Sequence, residues 1–289
     1  MKLTGEDKKF LELYSDSVYE KPSVTVDSVV LRLKDIETDN YRKLPEKALQ
    51  AYLLKREYSP YKNAYALPGT FIDLNFELGD TVRKCLKSKI GLENFYCEQL
   101  YTFGEKQRDP RTRVIGVSYL ALTNSYETLS GGDWFDIDMK TVSSKRKETK
   151  LGFSMYEEIE LKLSNQTNTL RAKIEISIEN DGKNETKKIS IKNSDLAFDH
   201  AKIIFYAIKR LQGKLEYTDI IFHLLPSLFT LTELKLGYEK ILGKKLLDAN
   251  FRRKIKDMVE PTEEFVKDLG HRPSQLFKLN PLWNYNNFD

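Results

Sequence analysis

The chain has 289 residues, 40% of them hydrophobic and 31% charged, which is typical of a globular protein with room for two modest domains. We find no apolar run of membrane-spanning length and no signal-peptide h-region at the start, so we expect a cytoplasmic protein without a membrane partner. Two cysteines and three scattered histidines do not form a disulfide framework or a metal-ligand spacing. The sequence therefore predicts neither a bound metal nor another cofactor.

The net charge of +4 is placed unevenly along the chain. Residues 201–289 carry 15 Lys and Arg against 11 Asp and Glu, whereas the remainder is neutral. A basic C-terminal part favours a polyanionic partner at one end of the molecule, although many basic faces are only solvated.

A short polar helix is predicted up to about Lys21-Pro22, followed by two strands and a longer helix. The strands, 24–33 and 48–57, are rich in β-branched or aliphatic residues. After a break at Pro68-Gly69, apolar residues spaced four apart predict a helix over 78–90 with a left-handed cap at Gly91. The apolar segment 113–123 predicts a buried strand.

The segment from about 139 to 193 has a different character and predicts an insertion within the first domain. A basic polar run, KTVSSKRKETK, leads into isoleucines that alternate with polar residues before and after Asn180-Asp181-Gly182. Alternation on both sides of such a turn is typical of a β-hairpin. We therefore expect one hairpin here.

After Asp199 the pattern becomes helical. A helix is predicted over 201–212, ending at Gly213, and the short apolar segment DIIFHLL follows it. Thr230 and Glu233 have capping-box spacing for a helix through Leu242. The remaining elements are a helix capped by Asp248 that runs to about Val259, and two strands, TEEFVKDL and SQLFKL, around a Gly270-His271-Arg272 turn. This order is typical of a winged helix-turn-helix.

Residues 67–92, LPGTFIDLNFELGDTVRKCLKSKIGL, resemble the Nudix signature without a gap. That signature clusters glutamates on one helix face, where they hold Mg²⁺ or Mn²⁺ against a diphosphate. In this chain the positions of its first Gly, first Glu, Arg and three following Glu are occupied, in that order, by Thr70, Phe76, Lys84, Cys85, Ser88 and Lys89. The resemblance implies a Nudix fold without catalytic residues or metal. The lysines of this helix leave two interpretations open, a counter-charge for a phosphate or a solvated helix face.

The resemblance extends over nearly the whole chain. EKPSVTVDSVVL, LLKREYSPYKNAYALPG, EQLYTFGEKQRDPRTRVIGVSYLAL, LAFDHAKII and HLLPSLFTLTELKLGYEKILGKKLLDANFRRKI are similar to the Nudix-related transcriptional regulators of bacteria. One branch of that family senses ADP-ribose and represses genes of NAD metabolism, and other branches respond to sugar-derived effectors. The implied fold is α+β: a mixed-sheet α/β/α Nudix sandwich over 1–200, with the insertion at about 139–193, and a winged helix-turn-helix over 201–289.

The resemblance also implies an effector pocket on the concave side of the Nudix domain. Its expected residues are Arg56, Tyr65, Leu67, Gly69, Arg108, Asp109, Arg111 and Arg113. An arginine fork in the RDPRTR turn suits a phosphate or a carboxylate, and Tyr61 or Tyr65 suits stacking on a base. The alternatives are a dimer salt bridge for the turn and core packing for the tyrosines. Asp199 and His200 can form hydrogen bonds at the pocket rim, but for Asp199 a helix cap is the expected role.

The segment DANFRRKIKDMV is predicted to be the DNA-reading helix. Phe251, Ile255 and Met258 with Val259 share an inner face, which leaves polar residues outside. Arg and Asn read base edges in the major groove, whereas lysines more often meet phosphates. The predicted DNA-binding residues are Asn250, Arg252, Arg253, Lys254 and Lys256 of the helix, and His271, Arg272 and Lys278 of the wing.

We therefore predict a homodimeric transcriptional regulator that binds a palindromic operator in double-stranded DNA and is controlled by a small phosphorylated effector. Two alternatives remain at this stage. The first is a Nudix hydrolase, such as an ADP-ribose pyrophosphatase, that uses other ligands, for which Asp73, Glu77 and Asp80 are the available carboxylates. The second is a structural interaction module, which would have no need of a basic DNA-reading helix.

Overall fold

The computed structural model describes residues 4–14, 20–36, 46–125, 127–266 and 273–283. The chain begins with helix α1 (Gly5–Leu13), in which the side chains and backbone amides of Thr4 and Asp7 form a capping box. None of the residues of α1 is buried. The predicted short polar helix is thus present and lies on the surface.

A mixed sheet forms the centre of the molecule. Its strands in the first part of the chain are β1 (Ser23–Ile36), β2 (Glu46–Lys55), β3 (Tyr65–Ala66), β4 (Gly69–Phe71), β5 (Tyr96–Phe103) and β6 (Val114–Leu122). Strand β1 pairs antiparallel with β2 and parallel with β6. Residues 26–31 of β1 are all buried, because both faces of the sheet are covered at this point.

Residues 132–194 extend this sheet as a four-stranded meander, and the insertion at about 139–193 stays a prediction. Its strands are β7 (Gly132–Glu148), β8 (Phe153–Ser164), β9 (Thr169–Asn180) and β10 (Glu185–Ser194), and the sheet order is β10-β9-β8-β7-β2-β1-β6-β5. The predicted hairpin across residues 180–182 is present as β9 and β10. The prediction of a single hairpin was wrong, because the basic run forms the outer half of β7. That half-strand is mostly exposed, so its sequence lacks the alternation that marks a half-buried strand.

Helices cover both faces of the sheet. Helix α2 (Leu78–Ile90) packs Val82, Leu86 and Ile90 on the face formed by residues such as Val26 and Tyr52. Its limits and the left-handed cap at Gly91 (φ 77°) are as predicted. Helix α3 (His200–Lys214) lies on the opposite face, where it contacts β1, β5 and β10. The result is an α/β/α sandwich.

The C-terminal part contains a short 3₁₀ helix (Ile220–Leu224), helices α4 (Leu231–Leu242) and α5 (Asp248–Ile255), and the hairpin β11 (Val259–Val266) with β12 (Ser274–Leu279). The capping box of Thr230 and Glu233 is present, and Gly243 (φ 68°) ends α4 as predicted. Leu247, not Asp248, is the N-cap of α5. The predicted end of α5 near Val259 was wrong, because Val259 pairs with Leu279 in the hairpin.

Helix α3 connects the two parts of the molecule. It was assigned to the C-terminal domain, yet it packs on the sheet as well as on α4. It also continues one residue beyond the predicted end at Gly213. The domain boundary after residue 200 stays a prediction. Within the described part of the chain, every helix is too short or too polar to cross a membrane.

Candidate functional site

A cavity of about 240 Å³ opens between the ends of β1 and β2, strand β4, the loop before β6 and the start of α3. Six of the eight residues predicted to bind an effector line this cavity: Arg56, Leu67, Gly69, Arg108, Asp109 and Arg111. Gly69 pairs with Asp27 across β4 and β1, and a Cβ at this position would lie 2.3 Å from an Asp27 carboxylate oxygen. Glycine is therefore required for the close approach of the two strands.

The other two predicted residues do not line the cavity. Tyr65 is buried in the core on the α3 side of the sheet, where its ring packs edge-to-face on Phe135 at 4.9 Å. Its hydroxyl donates to Asp133 at 3.4 Å and accepts from Asn168 at 3.2 Å. Arg113 is exposed and precedes β6, where its carbonyl accepts from the amide of Ser23. The alternative weighed for the tyrosines, a packed aromatic, describes Tyr65.

Arg108 forms a buried ion pair with Asp199. Its Nε and Nη2 donate to the two carboxylate oxygens of Asp199 at 2.9 and 2.8 Å, and Nη2 lies 3.6 Å from Asp27. The guanidinium lies against Gly116 of β6, where a Cβ would be 2.5 Å from Nη1. Burial lowers the pKa of Arg108, but the hydrogen bonds and charge of Asp199 outweigh that effect and the net shift is upward. Arg108 therefore shapes the cavity wall and holds the start of α3.

The expectation of a helix cap at Asp199 needs correction. Asp199 occupies the N-cap position of α3, but its side chain makes no capping hydrogen bond. The carboxylate is instead turned towards the guanidinium of Arg108. A bidentate pair with arginine is stronger than a single hydrogen bond to a backbone amide, which explains why the Asp199 carboxylate faces Arg108 and not the helix amides.

His200 joins the start of α3 to the loop before β4. Its Nδ1 accepts a hydrogen bond from the backbone amide of Leu67 at 2.9 Å, and its Nε2 lies 3.8 Å from Asp27. Burial lowers the pKa of His200, so the imidazole is neutral near pH 7. Because Nδ1 is the acceptor, the neutral ring carries its proton on Nε2, facing the Asp27 carboxylate.

Two arginines and an aromatic ring form the mouth of the cavity. The guanidinium carbons of Arg56 and Arg111 lie 4.8 and 5.7 Å from the centroid of the Phe198 ring. Burial and the charge of Arg111 lower the pKa of Arg56, so the two like charges are close enough to oppose each other. Phe198 itself has a left-handed backbone (φ 53°), which is uncommon for a residue other than glycine. The sequence did not single out Phe198, since nothing in its local pattern indicates this geometry.

Arg111 is also bound to Asp109. Its Nε and Nη2 donate to the Asp109 carboxylate at 3.0 and 2.7 Å, and the Arg111 amide donates at 3.0 Å. The hydrogen bond from the Arg111 side chain is the main reason why the pKa of Asp109 is lowered. The Arg111 side chain is 44% exposed, so it keeps a solvent-facing edge that can meet a ligand.

The helix of the degenerate Nudix box contributes Lys89 to the cavity lining. Lys89 donates to the carbonyl oxygen of Gly69 at 2.6 Å, and Lys84 lies 3.5 Å from Asp73. Cys85 is buried, which raises the pKa of its thiol, and the Ser88 hydroxyl donates to the Cys85 carbonyl. Among the residues that the structure describes, His, Cys, Asp and Glu form no group of three suited to a metal. The Mg²⁺ or Mn²⁺ that a Nudix fold implies therefore does not fit the side chains at this wall.

The cavity has a positive lining. The lining holds four cationic side chains, Arg56, Lys89, Arg108 and Arg111, and two carboxylates, Asp27 and Asp109. With His200 neutral, its net charge is +2, or +1 when Asp199, the partner of Arg108, is included. An anionic ligand is the chemical complement of such a lining.

The second candidate site is the outer face of α5. Phe251, Ile255 and Met258 are buried as predicted, whereas Asn250, Arg252 and Arg253 are exposed. The Nη2 of Arg253 donates to the Oδ1 of Asn250 at 3.3 Å, which holds the guanidinium and the amide group on the same face of α5.

The lysines at this site are placed less uniformly than expected. Lys254 was expected on the free outer face, but its Nζ donates to the backbone and side-chain oxygens of Glu216 at 3.2 and 3.1 Å. Lys256 lies 3.8 Å from Asp257, and Lys278 of the hairpin lies 3.6 Å from Glu260. The predicted wing residues His271 and Arg272 lie outside the described residues.

Comparisons with known proteins agree with this architecture. Residues 221–279 match the family model of the NrtR DNA-binding winged helix domain. The ADPR responsive transcriptional repressor NtrR of Acinetobacter baylyi is 30% identical over 280 residues, which cover 95% of this chain and 89% of the relative.

Two solved structures are similar over most of the chain. A MutT/nudix family protein from Enterococcus faecalis has a TM-score of 0.63 and 25% identity, covering 97% of this chain and 100% of that chain. NrtR of Shewanella oneidensis, solved in complex with a 27mer DNA, has a TM-score of 0.57 and 26% identity, covering 89% of this chain and 94% of that chain. The predicted combination of a Nudix fold and a winged helix is confirmed by these similarities.

Proposed function

Because this chain belongs to the NrtR family of Nudix-related transcriptional regulators, we propose that it is a repressor controlled by ADP-ribose. The observation that carries this proposal is the cavity in which Arg56 and Arg111 flank Phe198 beside Lys89. ADP-ribose combines a diphosphate, which suits guanidinium and ammonium groups, with a purine base, which suits an aromatic ring. The relative of this chain from Acinetobacter baylyi is an ADPR responsive repressor by name, which supports the same effector here.

The outer face of α5 is the proposed DNA-binding surface. Asn250, Arg252 and Arg253 would reach base edges in the major groove, and Lys256, with Lys278 of the hairpin, would meet phosphates. His271 and Arg272 stay predicted DNA-binding residues from the sequence alone. Helix-turn-helix proteins read paired half-sites as dimers, so we propose a homodimer on a palindromic operator.

Helix α3 is the proposed connection between the two sites. It starts at His200 in the cavity wall and ends at Lys214, two residues before Glu216, which holds Lys254 of α5. Ion pairs of Lys202 with Glu105 and of Lys214 with Glu98 fix both ends of this helix to the sheet side of the molecule. We propose that a bound ligand shifts α3 as a unit against these ion pairs, which would change the position of Glu216 and its contact with Lys254.

We also propose that the protein does not hydrolyse ADP-ribose. The glutamate positions of the box carry Phe76, Cys85, Ser88 and Lys89. The carboxylates that an alternative hydrolase site could use do not converge. Asp73 pairs with Lys84 and accepts a hydrogen bond from the backbone amide of Asn75, and Glu77 is the N-cap residue of α2. Release of AMP by repurified protein with Mg²⁺ or Mn²⁺, above a protein-free blank, would contradict this proposal.

The DNA-binding surface is tested by Arg253→Ala with Lys187→Ala as the matched control, since Lys187 is an exposed cation on β10. Loss of a bidentate base contact costs about 1–3 kcal/mol and relaxes preference at one base pair of each half-site. Arg253→Ala should therefore bind operator and scrambled duplexes more equally, whereas Lys187→Ala should bind like wild type. Fluorescence anisotropy across a salt series measures both. Unchanged discrimination in Arg253→Ala would mean that α5 does not read bases.

A further inference from the structure

Lys89 occupies an unusual place on the Nudix helix. It stands where the Nudix signature carries its last glutamate, and its Nζ donates to the carbonyl oxygen of Gly69 at 2.6 Å. This bond fixes the ammonium between α2 and β4, at the wall of the same cavity that Arg56 and Arg111 line. The positive charge is therefore held in position before any ligand arrives.

A divalent cation has no place beside this ammonium. The two carboxylates in the cavity wall are already engaged, because Asp109 is bound by Arg111 and Asp27 lies between Arg108, His200 and the Thr25 hydroxyl. The groups nearest to Lys89 on α2, Cys85 and Ser88, are a buried thiol and a hydroxyl that donates to a backbone carbonyl. A hard cation would meet repulsion from Lys89 and find no set of oxygen ligands among the described residues.

An ammonium group supplies part of what the metal supplies. Both are compact positive charges that neutralise a phosphate oxygen. Only the metal also accepts lone pairs and activates water for attack on phosphorus. Replacing the metal by a lysine therefore keeps the binding of a diphosphate and removes its hydrolysis.

We propose that Lys89 is a built-in counter-cation that lets this protein bind the diphosphate of its effector without a divalent metal. The inference rests on the proposed function, because it takes the ligand of the cavity to be a phosphorylated effector. Lys89, Arg56 and Arg111 approach the cavity from α2, from the end of β2 and from the loop before β6. Three cations from three directions can surround a diphosphate without any added ion.

The test compares ADP-ribose binding by the full-length protein in EDTA and in Mg²⁺, using isothermal titration calorimetry. Wild type should bind with the same affinity, within about twofold, in both buffers. Lys89→Met keeps the hydrocarbon stem and should lose about tenfold in affinity, the value of one charge-assisted contact. Lys87→Ala is the matched control, since Lys87 lies on the same helix, pairs with Glu93 at 3.1 Å and is outside the cavity lining. It should bind like wild type.

The opposite substitution gives a second readout. Lys89→Glu restores the carboxylate of the signature at this position, so its residual binding should become stronger on addition of Mg²⁺. The melting temperatures of all variants without ligand show whether the fold is retained.

The outcomes separate this inference from the effector proposal. Binding of ADP-ribose to wild type only with Mg²⁺, or wild-type affinity in folded Lys89→Met, would overturn the role of Lys89 and leave the effector proposal intact. Failure of wild type to bind either ADP-ribose or pyrophosphate in any buffer would overturn both.

Discussion

His200 ties two segments together through a hydrogen bond that requires its neutral form. Burial lowers the pKa of His200 below its ordinary value of 6.5, so the unfolded chain takes up a proton first as the pH falls. The stability associated with the neutral ring is therefore complete above about pH 6.5 and is lost as the pH falls below it. The histidine at the cavity thus contributes to the acid sensitivity of the fold.

We expect His200→Asn to flatten this dependence, because an amide oxygen can accept from Leu67 but does not titrate in this range. The measurement is the free energy of unfolding in urea between about pH 8 and about pH 5. His223→Asn is the control: burial lowers the pKa of His223 as well, but this ring stacks on Tyr96 away from the cavity. Both variants should be less acid-sensitive, and only His200→Asn should weaken ADP-ribose binding. A wild-type pH profile in His200→Asn would contradict the assignment.

Gly116 determines where the guanidinium of Arg108 can lie. A methyl group there would be 2.5 Å from Nη1, so Gly116→Ala should displace Arg108 from Asp199. We expect a loss of about 1–3 kcal/mol in the free energy of unfolding, typical of overpacking. Gly79→Ala is the matched control, because a Cβ there meets nothing within 4 Å and the residue lies in α2. It should be neutral or more stable by up to about 1 kcal/mol. Equal free energies of unfolding in the two variants would contradict this prediction and show that Arg108 can adopt another conformation without strain.

At the scale of elements, the proposed coupling runs through the turn after α3, where Glu216 contacts Lys254 of α5. Lys254 was predicted to meet a DNA phosphate, and in the structure it is bound to Glu216. Glu216→Gln removes the charge that attracts this lysine but keeps the backbone carbonyl that it also contacts. We expect DNA affinity to rise by about twofold to fivefold, with a steeper salt dependence. Removing any nearby acid also favours DNA, so the double variant Glu216→Gln, Lys254→Ala is needed. The gain should vanish in the double variant, and a gain that persists there would exclude a role for this ion pair.

The elements also show how far the sequence can be interpreted. Helix α2 was predicted to the residue, because its apolar spacing and the glycine after it agree on the same limits. The end of α5 was missed because Met258 and Val259 continue the apolar spacing of a helix although the backbone has already turned into the hairpin. The outer half of β7 was missed because strand pairing far from the core needs no apolar side chains.

The candidate site was predictable in part for a similar reason. The resemblance to the Nudix fold indicates which loops meet, and six of the eight expected residues do line one cavity. It does not fix which way a side chain turns: Tyr65 enters the core, and Arg108 pairs with Asp199. Phe198 owes its position to a left-handed backbone that only the folded chain shows.

At the scale of the whole molecule, positive charge is concentrated in two places, the C-terminal part of the chain and the candidate cavity. Residues 201–289 hold the entire net charge of +4, whereas residues 1–200 are neutral and the positive charges of the candidate cavity are local. The basic part attracts DNA over a distance comparable to the Debye length, about 8 Å at physiological salt. The proposed effector site relies on short contacts, so we expect salt to affect operator binding more strongly than ADP-ribose binding.

The coupling of the two sites has one direct thermodynamic test. Operator affinity is measured with and without saturating ADP-ribose, and ADP-ribose affinity with and without saturating operator, by anisotropy and calorimetry in the same buffer. Linkage requires both affinities to change by the same factor, which we expect to lie between about fivefold and 150-fold, with the ADP-ribose recovered intact. An operator affinity that does not respond to bound ADP-ribose would contradict a regulator built on this Nudix fold.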